Sequence, residues 1–273
     1  DSPLEFRLYT HNIRYDNKNL WEGERPWSER KYLIASSIKF NAKKNTLVCL
    51  QEVLYNQLVD LKQLLGDEWN YFGVGRKDGK FSGEFNPIFY QKKDWKILNS
   101  KTFWLSQTPE IPSKGWDAAL ERIVEWLHLQ NIPSNKKINI FNTHLDHQGV
   151  IARRESVKLI LQRCKNLNNN PSFFTGDFNT EPADEPYQIA SKQLLDTNKA
   201  VNDKLNRYAH ADESTYTGFD GGIVERAKVI DYIWATKDSK NIFIKSFAVL
   251  HSKFNFYMSD HRPVSSDIIL YDD

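Results

Sequence analysis

The sequence predicts an α/β fold of the α+β type, in which two sheets pack face to face with helices on their outer sides. Strand-like segments outnumber helical ones and often follow one another directly, which is typical of mixed, mainly antiparallel sheets. Helical segments lie between groups of strands, which places them in separate outer layers. No repeat or Pro/Ser-rich linker divides the 273 residues, so we expect a single domain, residues 1–273.

Predicted strands in the first half of the chain end in polar residues. Residues 4–13 begin with alternating apolar side chains and contain Asn12 near their end, and the apolar residues 46–50 precede Glu52. Aromatic and β-branched residues predict further strands at 71–75, 87–91 and 95–105. Polar groups therefore collect where strands stop, a common location for chemistry in layered α/β proteins.

The second half of the chain repeats this arrangement. Strands are predicted at 122–129, 138–141, 173–179, 229–235, 242–250 and 265–270, and polar residues 197–222 predict a long loop. His144 and Asp146 follow the second of these strands, and from an extended backbone His147 would face away from His144. Asp231 lies in the middle of an apolar strand, where a buried carboxylate requires a partner.

Four helices are predicted from apolar positions at helical spacing. The first begins near Trp27 with Ser28 as its N-cap, and the second covers 54–65 and ends at Gly66. The third covers 152–167, and the fourth begins near Pro186. Each helix separates groups of strands, in agreement with the layered fold.

The central strand, 173–179, presents an acid and an amide at its end. Gly176 allows the backbone to leave the strand sharply. Asp177 and Asn179 alternate with Phe178, so an extended backbone would place both polar side chains on one face. We expect this pair to contribute to a functional site.

Composition and charge exclude several classes of protein. A net charge of +2 is too small to predict a general nucleic-acid-binding surface. No apolar run approaches the roughly 18 residues of a membrane helix, so we expect no membrane anchor. Cys49 and Cys164 fit buried positions, which favours a reducing compartment, the cytoplasm. The nucleus, or secretion after removal of a leader that preceded Asp1, are the alternatives.

The polar residues that follow the strands belong to a few types, namely Asn12, Glu52, His144, Asp146, Asp177, Asn179, Asp260 and His261. Carboxylates and amides without cysteine indicate a hard cation, Mg²⁺ with Mn²⁺ as the alternative. The absence of a helical His pair disfavours zinc, and no G-x-S-x-G elbow or P-loop is present.

These motifs, in this order, resemble the endonuclease/exonuclease/phosphatase superfamily, whose members include DNase I-like nucleases and phosphatases. The resemblance spans nearly the whole chain and includes the Ile230-Asp231-Tyr232 and Ser259-Asp260-His261 segments. Segments 82–90 and 114–126 resemble a compact microbial and fungal branch of the superfamily. The family fold is a four-layer α/β-sandwich, and the resemblance implies the same fold here.

The resemblance also implies the metal and phosphate sites. Glu52 would be the principal metal ligand, with Asn12 beside it on metal or phosphate and Asp260 on the metal side. Arg122 would bring a positive charge to the phosphate, and Glu84 would be the partner of His144.

The remaining motif residues would carry the chemistry. Asp177 would deprotonate the attacking water, and Asn179 would hold that water and the phosphate. His261, oriented by Asp231, would bind the phosphoryl oxygen. His144 would clamp the phosphate or assist the leaving group, and Asp146 belongs to the same catalytic set.

The implied activity is hydrolysis of a phosphoester, as a phosphodiesterase or phosphatase, by a monomer that acts on a small molecule or a nucleic acid. One alternative is a nuclease or deadenylase that acts on nucleic acid 3′ ends or backbone. The other is a non-catalytic protein that binds phosphate ligands on the same fold, which the filled catalytic positions disfavour.

Overall fold

The computed structural model describes residues 2–201, 203–209, 213–219, 227–237 and 239–272. Its strands are β1 (Leu4–Asn12), β2 (Thr46–Gln51), β3 (Trp69–Phe72), β4 (Ile88–Gln91), β5 (Trp95–Trp104), β6 (Ile123–Asn131), β7 (Lys137–His144), β8 (Ser172–Asp177), β9 (Leu194–Asp196), β10 (Arg207–Tyr208), β11 (Asp231–Thr236), β12 (Ile242–Val249) and β13 (Val264–Leu270). Its α-helices are α1 (Trp27–Asn41), α2 (Tyr55–Leu65), α3 (Val150–Lys165), α4 (Glu185–Gln193) and α5 (Thr197–Ala200).

The strands form two mixed sheets. Within the described residues, one sheet has seven strands in the order β10-β12-β13-β1-β2-β4-β3, and the other has six in the order β5-β6-β7-β8-β11-β9. The pairs β1–β2, β7–β8 and β10–β12 are parallel, and the other pairs are antiparallel. The predicted mixed, mainly antiparallel sheets are confirmed.

Three apolar clusters hold the layers together. Between the sheets, Phe6 and Leu47 of one sheet share a buried cluster with Ile140 and Phe173 of the other. The helices α1 and α2 pack on the outer face of the seven-stranded sheet, and α3 and α4 pack on that of the six-stranded sheet. Because alternate strand residues point to opposite faces, each sheet has an apolar side chain layer on both faces. The result is the four-layer α/β-sandwich.

Four local predictions were wrong. α1 begins at Trp27, so its N-cap position is Pro26, and Ser28 lies inside the helix. Asp231 is the first residue of β11, because the chain only enters the sheet there. The predicted loop 197–222 contains α5, a 3₁₀ turn and β10 in its described part, while residues 202, 210–212 and 220–222 lie outside the described residues. β8 ends at Asp177, two residues before the predicted strand end.

Two of the parallel pairs bring the C-terminal ends of four strands to one edge of the sandwich. β1 and β2 run in parallel in one sheet, and β7 and β8 do so in the other. Asn12 and Asp177 are the last residues of β1 and β8, and His144 is the last residue of β7. None of the described helices combines the length and the apolar character needed to cross a bilayer.

Candidate active site

A cleft of about 360 Å³ opens where β1, β2, β7 and β8 end. Most of the residues predicted from the sequence line it, namely Glu52, Glu84, Arg122, His144, Asp177, Asn179 and His261. Five other lining residues were not identified from the sequence, and they are Arg14, Tyr15, Trp21, Leu120 and His147.

Asp177 lies at the centre of the candidate site. Its Oδ2 accepts a hydrogen bond from Asn12 Nδ2 at 3.0 Å and lies 3.3 Å from His144 Nε2 and 3.5 Å from His261 Nε2. Burial raises the pKa of this carboxyl, but His261 and His144 outweigh burial and hold the pKa below its usual range. Asp177 is therefore ionised at working pH.

Asn179 lines the cleft, but its backbone does not have the predicted extended conformation. Its φ of 45° is left-handed, so the extended alternation with Asp177 does not apply. Its backbone N–H donates to Asp177 Oδ1 at 2.9 Å, and its Nδ2 donates to the Leu145 carbonyl at 2.8 Å. The turn, which Asn tolerates well, fixes both side chains at the mouth of the cleft.

Glu52 also follows its strand in a left-handed conformation, with φ of 59°. Its Oε2 accepts from Asn12 Nδ2 at 2.5 Å, and its Oε1 accepts from the Tyr15 N–H at 3.4 Å. Burial raises the pKa of Glu52, but His144, the hydrogen bond from Asn12 and His261 together lower it. Such a backbone conformation is uncommon outside glycine and occurs often at functional sites.

Two groups of side chains in the described residues could hold a cation. The ligand atoms of Glu52, Glu84 and His144 lie within 4.8 Å of one another, and so do those of Glu52, Asp177 and His261. Glu84 Oε1 is buried and accepts no hydrogen bond from the described residues. The nearest ring nitrogen, His144 Nδ1, is 3.9 Å away, so this oxygen is available to a ligand. A buried carboxylate oxygen without a partner is costly, so the carboxylates of Glu52 and Glu84 fit a divalent cation that prefers oxygen ligands.

The other two predicted metal ligands are placed differently. Asn12 presents its amide nitrogen to Glu52 and Asp177, because its Oδ1 accepts from the Arg14 N–H at 3.0 Å. Asp260 is buried, and its Oδ1 accepts from Ser259 Oγ at 3.3 Å. Neither belongs to the two groups of candidate ligands or to the cleft lining.

His261 lies between two carboxylates. Its Nδ1 is 2.8 Å from Asp231 Oδ2, which also accepts from Thr215 Oγ1 at 2.7 Å. Burial disfavours the charged ring, yet Asp231 and Asp177 raise the pKa of His261 to about 10. Burial also raises the pKa of Asp231 to about 6. The pairing expected for Asp231 is present, and it leaves His261 Nε2 directed at the cleft.

Arg122 contacts both His144 and His147, on the side of the cleft away from His261. Its Nη1 lies 3.3 Å from His144 Nδ1, and its Nη2 lies 3.0 Å from His147 Nδ1. Because a guanidinium only donates, each Nδ1 accepts, and the ring proton of His144 is on Nε2, which faces Asp177. The alternation that would turn His147 away does not apply, because β7 ends at His144.

Asp146 lies behind Arg122 and outside the cleft lining. Its carboxylate accepts from Arg122 Nε at 3.2 Å and from four backbone N–H groups, those of Ala119, Leu120, Gln148 and Gly149. Burial raises the pKa of Asp146, but these donors lower it below its usual range. Its oxygens are saturated, so Asp146 can act on a substrate only through Arg122.

Glu84 has a partner that the sequence did not indicate. Arg76 Nη2 donates to Glu84 Oε2 at 2.8 Å, while His144 Nδ1 lies 3.9 Å from Glu84 Oε1, beyond hydrogen-bond distance. Burial and the nearby Glu52 raise the pKa of Glu84. No spacing signal links Arg76 to Glu84. By contrast, Arg14 and Tyr15 follow Asn12 so closely that their place at the cleft could have been expected.

Comparisons with known proteins agree with this arrangement. A sequence model of a protein family, described as "Endonuclease/Exonuclease/phosphatase family", matches residues 10–261. A solved structure of an endonuclease/exonuclease/phosphatase from Bacteroides vulgatus has a TM-score of 0.89 and 34% identity, over 98% of this chain and 100% of that one. The mannosyl-6-phosphatase of Bacteroides thetaiotaomicron VPI-5482 has a TM-score of 0.86 and 30% identity, over 96% of this chain and 99% of that one.

A curated relative, "Probable RNA exonuclease NGL3" of Saccharomyces cerevisiae, is 28% identical over 189 residues, 62% of this chain and 35% of the relative. The chain spans only part of the curated proteins it matches, with alignments that cover 23%, 66% and 35% of their lengths.

Proposed function

The chain belongs to the endonuclease/exonuclease/phosphatase family, and from that premise we propose that it is a Mg²⁺-dependent phosphomonoesterase of small phosphorylated molecules. The observation that carries the proposal is the convergence of Asn12, His144 and His261 on Asp177 Oδ2 in a small cleft. Support for a small substrate comes from the likeness to a mannosyl-6-phosphatase over 96% of the chain.

The cation would be held by Glu52, which both groups of candidate ligands share. Mg²⁺ suits carboxylate oxygen ligands, and Mn²⁺ is the alternative. The chemistry that such a cation supplies is charge neutralisation on the phosphate and a lower pKa of the attacking water. Asn12 donates to both Glu52 and Asp177, and thereby fixes the distance between the metal side and the water side of the cleft.

The hydrolysis requires a water, a proton acceptor and donors to the phosphate. Asp177 accepts the proton of the water as its oxygen attacks phosphorus, and the P–O bond to the alcohol breaks. His261, which carries a proton at neutral pH, and Arg122 stabilise the negative charge on the phosphoryl oxygens. His144 Nε2 donates to the leaving oxygen, and Asn179 orients the water.

Three residues act through these groups as positioning residues. Asp231 orients the His261 ring, Asp146 holds Arg122, and Glu84 lies beside His144 at the metal end of the cleft. Asp260 is buried near Glu52, and burial together with the charge of Glu52 raises the pKa of its carboxyl. We also propose that residues 1–273 form one domain that acts as a monomer, which size-exclusion chromatography with light scattering tests.

Release of inorganic phosphate from monoesters, release of p-nitrophenol from a diester and cleavage of RNA on a gel together test the function on a panel of substrates. The panel contains hexose 6-phosphates, glycerol phosphate, nucleoside monophosphates, bis-p-nitrophenyl phosphate and a single-stranded RNA, each with Mg²⁺ and with EDTA. We expect phosphate release from monoesters, lost in EDTA. Cleavage of RNA alone would favour the nuclease alternative, which the yeast relative's name supports and the net charge of +2 disfavours. Binding of phosphate without turnover would favour the non-catalytic alternative.

A further inference from the structure

Trp21 forms an exposed aromatic wall in the cleft that contains Asp177. It lines the same cleft as Glu52, Asp177 and His261, yet 52% of its surface is exposed. All eight tryptophans lie in the described residues, and Trp21 alone among them is exposed rather than buried or half-buried. An indole left open to water inside a ligand cleft is a large surface available for binding.

The wall is fixed in place by buried charges. Arg14 Cζ lies 3.9 Å from the Trp21 ring centroid, so the guanidinium covers one face of the indole. Glu24, itself only 6% exposed, accepts from Arg14 at 3.0 and 3.2 Å and from the Trp21 N–H at 3.0 Å. Glu24 therefore holds both the backbone of Trp21 and the guanidinium that lies against its ring.

The same wall continues to the metal end of the cleft. Tyr15 follows Arg14, and its N–H donates to Glu52 Oε1 at 3.4 Å. A substrate whose phosphate lies against Glu52 and Asp177 would thus extend its leaving group along Tyr15 towards Trp21. A cleft of about 360 Å³ has room for a phosphate and one ring.

A pyranose fits this combination of surfaces. One face of a pyranose ring carries C–H groups that pack on an indole, while its hydroxyl groups need hydrogen-bonding partners. Polar side chains supply most of the remaining lining, among them Asn179 and His147. A nucleobase also presents a flat face, and the comparison of ligands below separates the two.

We propose that Trp21 determines substrate specificity by stacking on the pyranose ring of a sugar phosphate. The inference rests on the proposed phosphomonoesterase function and names the class of its leaving group. The ring of the leaving alcohol packs on the exposed part of the indole, and this contact holds the phosphate at the Asp177 end.

The test compares wild type, Trp21→Ala, Trp21→Phe and Phe40→Ala on mannose 6-phosphate, glycerol 1-phosphate and adenosine 5′-monophosphate. Phe40 is the matched control, because it is 91% exposed and lies on α1 outside the cleft. We expect Trp21→Ala to lower the kcat/KM ratio of mannose 6-phosphate to glycerol 1-phosphate by about tenfold. Trp21→Phe should restore part of that ratio, and Phe40→Ala should leave it as in wild type.

The outcomes distinguish a failure of the proposed phosphomonoesterase function from a failure of the proposed role of Trp21. If wild type releases no phosphate from any monoester, the proposed function fails before a variant is made. If wild type hydrolyses monoesters but the ratio does not change in Trp21→Ala, the specificity role is overturned. A larger loss on adenosine 5′-monophosphate than on mannose 6-phosphate overturns the sugar assignment.

A binding measurement covers the case in which Trp21→Ala does not fold. In the Asp177→Asn background with Mg²⁺, mannose 6-phosphate should change the tryptophan emission. The change should be absent when Trp21→Phe is added. An equal emission change in both proteins overturns the contact.

Discussion

His261 Nδ1 lies 2.8 Å from Asp231 Oδ2, and both residues are almost fully buried. The other ring nitrogen, Nε2, lies 3.5 Å from Asp177 Oδ2. Two carboxylates that flank one imidazole favour its charged form, which explains why the pKa of His261 rises to about 10 against the effect of burial.

The first prediction concerns the pH dependence that follows from this pair. If protonated His261 is the active form, activity falls as pH rises through its raised pKa. Asp231→Asn removes one of the two charges, so the pKa of His261 falls and the alkaline limb of kcat/KM should move to lower pH, by about one unit or more. An alkaline limb unchanged in Asp231→Asn would contradict the pairing, and Asp60→Asn, a partly exposed acid on α2, is the control.

A double-mutant cycle tests the same pair by another readout. Since Asp231 acts through His261, the double variant should be little slower than His261→Ala alone. Rates of the two single variants and the double variant at neutral pH decide the matter. Additive losses would mean that Asp231 serves another group.

A second prediction distinguishes the two candidate cation sites. Glu52 belongs to both, so Glu52→Gln should raise the Mg²⁺ concentration for half-maximal activity by about tenfold or more. Glu84→Gln should do the same only if the cation lies with Glu84 and His144. Calorimetric titration of Mg²⁺ into each variant checks both, with the exposed Glu22→Gln as control. Unchanged metal affinity in Glu52→Gln would remove Glu52 from the site.

A third prediction is that Asp177→Asn loses rate rather than affinity. The amide keeps the shape of the side chain but cannot accept the proton of the water, so kcat should fall by roughly 10²–10⁴-fold with little change in KM. Steady-state kinetics at saturating Mg²⁺ measure both constants. A loss confined to KM would make Asp177 a binding residue.

The sequence predicted the layered fold well because apolar periodicity and the polar strand ends are local signals. It also placed Asp177 and His144 at strand ends, and the family resemblance assigned both to one site, where the parallel pairing of β7 and β8 brings them together. A partner for Asp231 was expected because a buried carboxylate needs one, and the family resemblance implied that this partner is His261.

What the sequence could not predict depends on where strands stop and turns begin. Asn179 and His147 were treated as extended, but their strands end at Asp177 and His144. Trp21 and Glu84 reach the cleft from loops, which are held by contacts of Glu24 with the Trp21 N–H and of Arg76 with Glu84. Such side-chain contacts within loops leave no periodic pattern in a sequence.

A fourth prediction concerns Asp146 and stability. Its pKa is lowered in the folded protein, so its contribution to stability is present above its unfolded pKa of about 3.9 and is lost as pH falls towards the folded value. Asp146→Asn should lower the free energy of unfolding by about 2–4 kcal/mol at pH 7, since five hydrogen bonds to one carboxylate are weakened.

Urea unfolding of wild type and Asp146→Asn at pH 7 and at pH 3 measures this difference, which should shrink at the lower pH. The exposed Asp67→Asn is the control. A difference of the same size at both pH values would mean that the charge of Asp146 is not what stabilises the fold.

The last prediction tests the backbone that joins the two catalytic strands. Gly176 pairs with Thr143 across β7 and β8, and its φ is 148°. A Cβ at this position would lie 2.0 Å from the Thr143 carbonyl oxygen, which belongs to the backbone and cannot turn away. Gly176→Ala must therefore separate the strands next to His144 and Asp177, whose side chains are 3.3 Å apart.

We expect Gly176→Ala to lower the free energy of unfolding by about 3 kcal/mol or more, and to lower kcat even where the protein remains folded. Gly66→Ala is the matched control, because Gly66 also has a positive φ, 98°, but a Cβ there meets only the flexible Glu68 Oε2 at 3.0 Å. It should cost about 1 kcal/mol and leave kcat as in wild type. If Gly176→Ala resembled Gly66→Ala in both stability and rate, close contact between β7 and β8 would not be what holds His144 against Asp177.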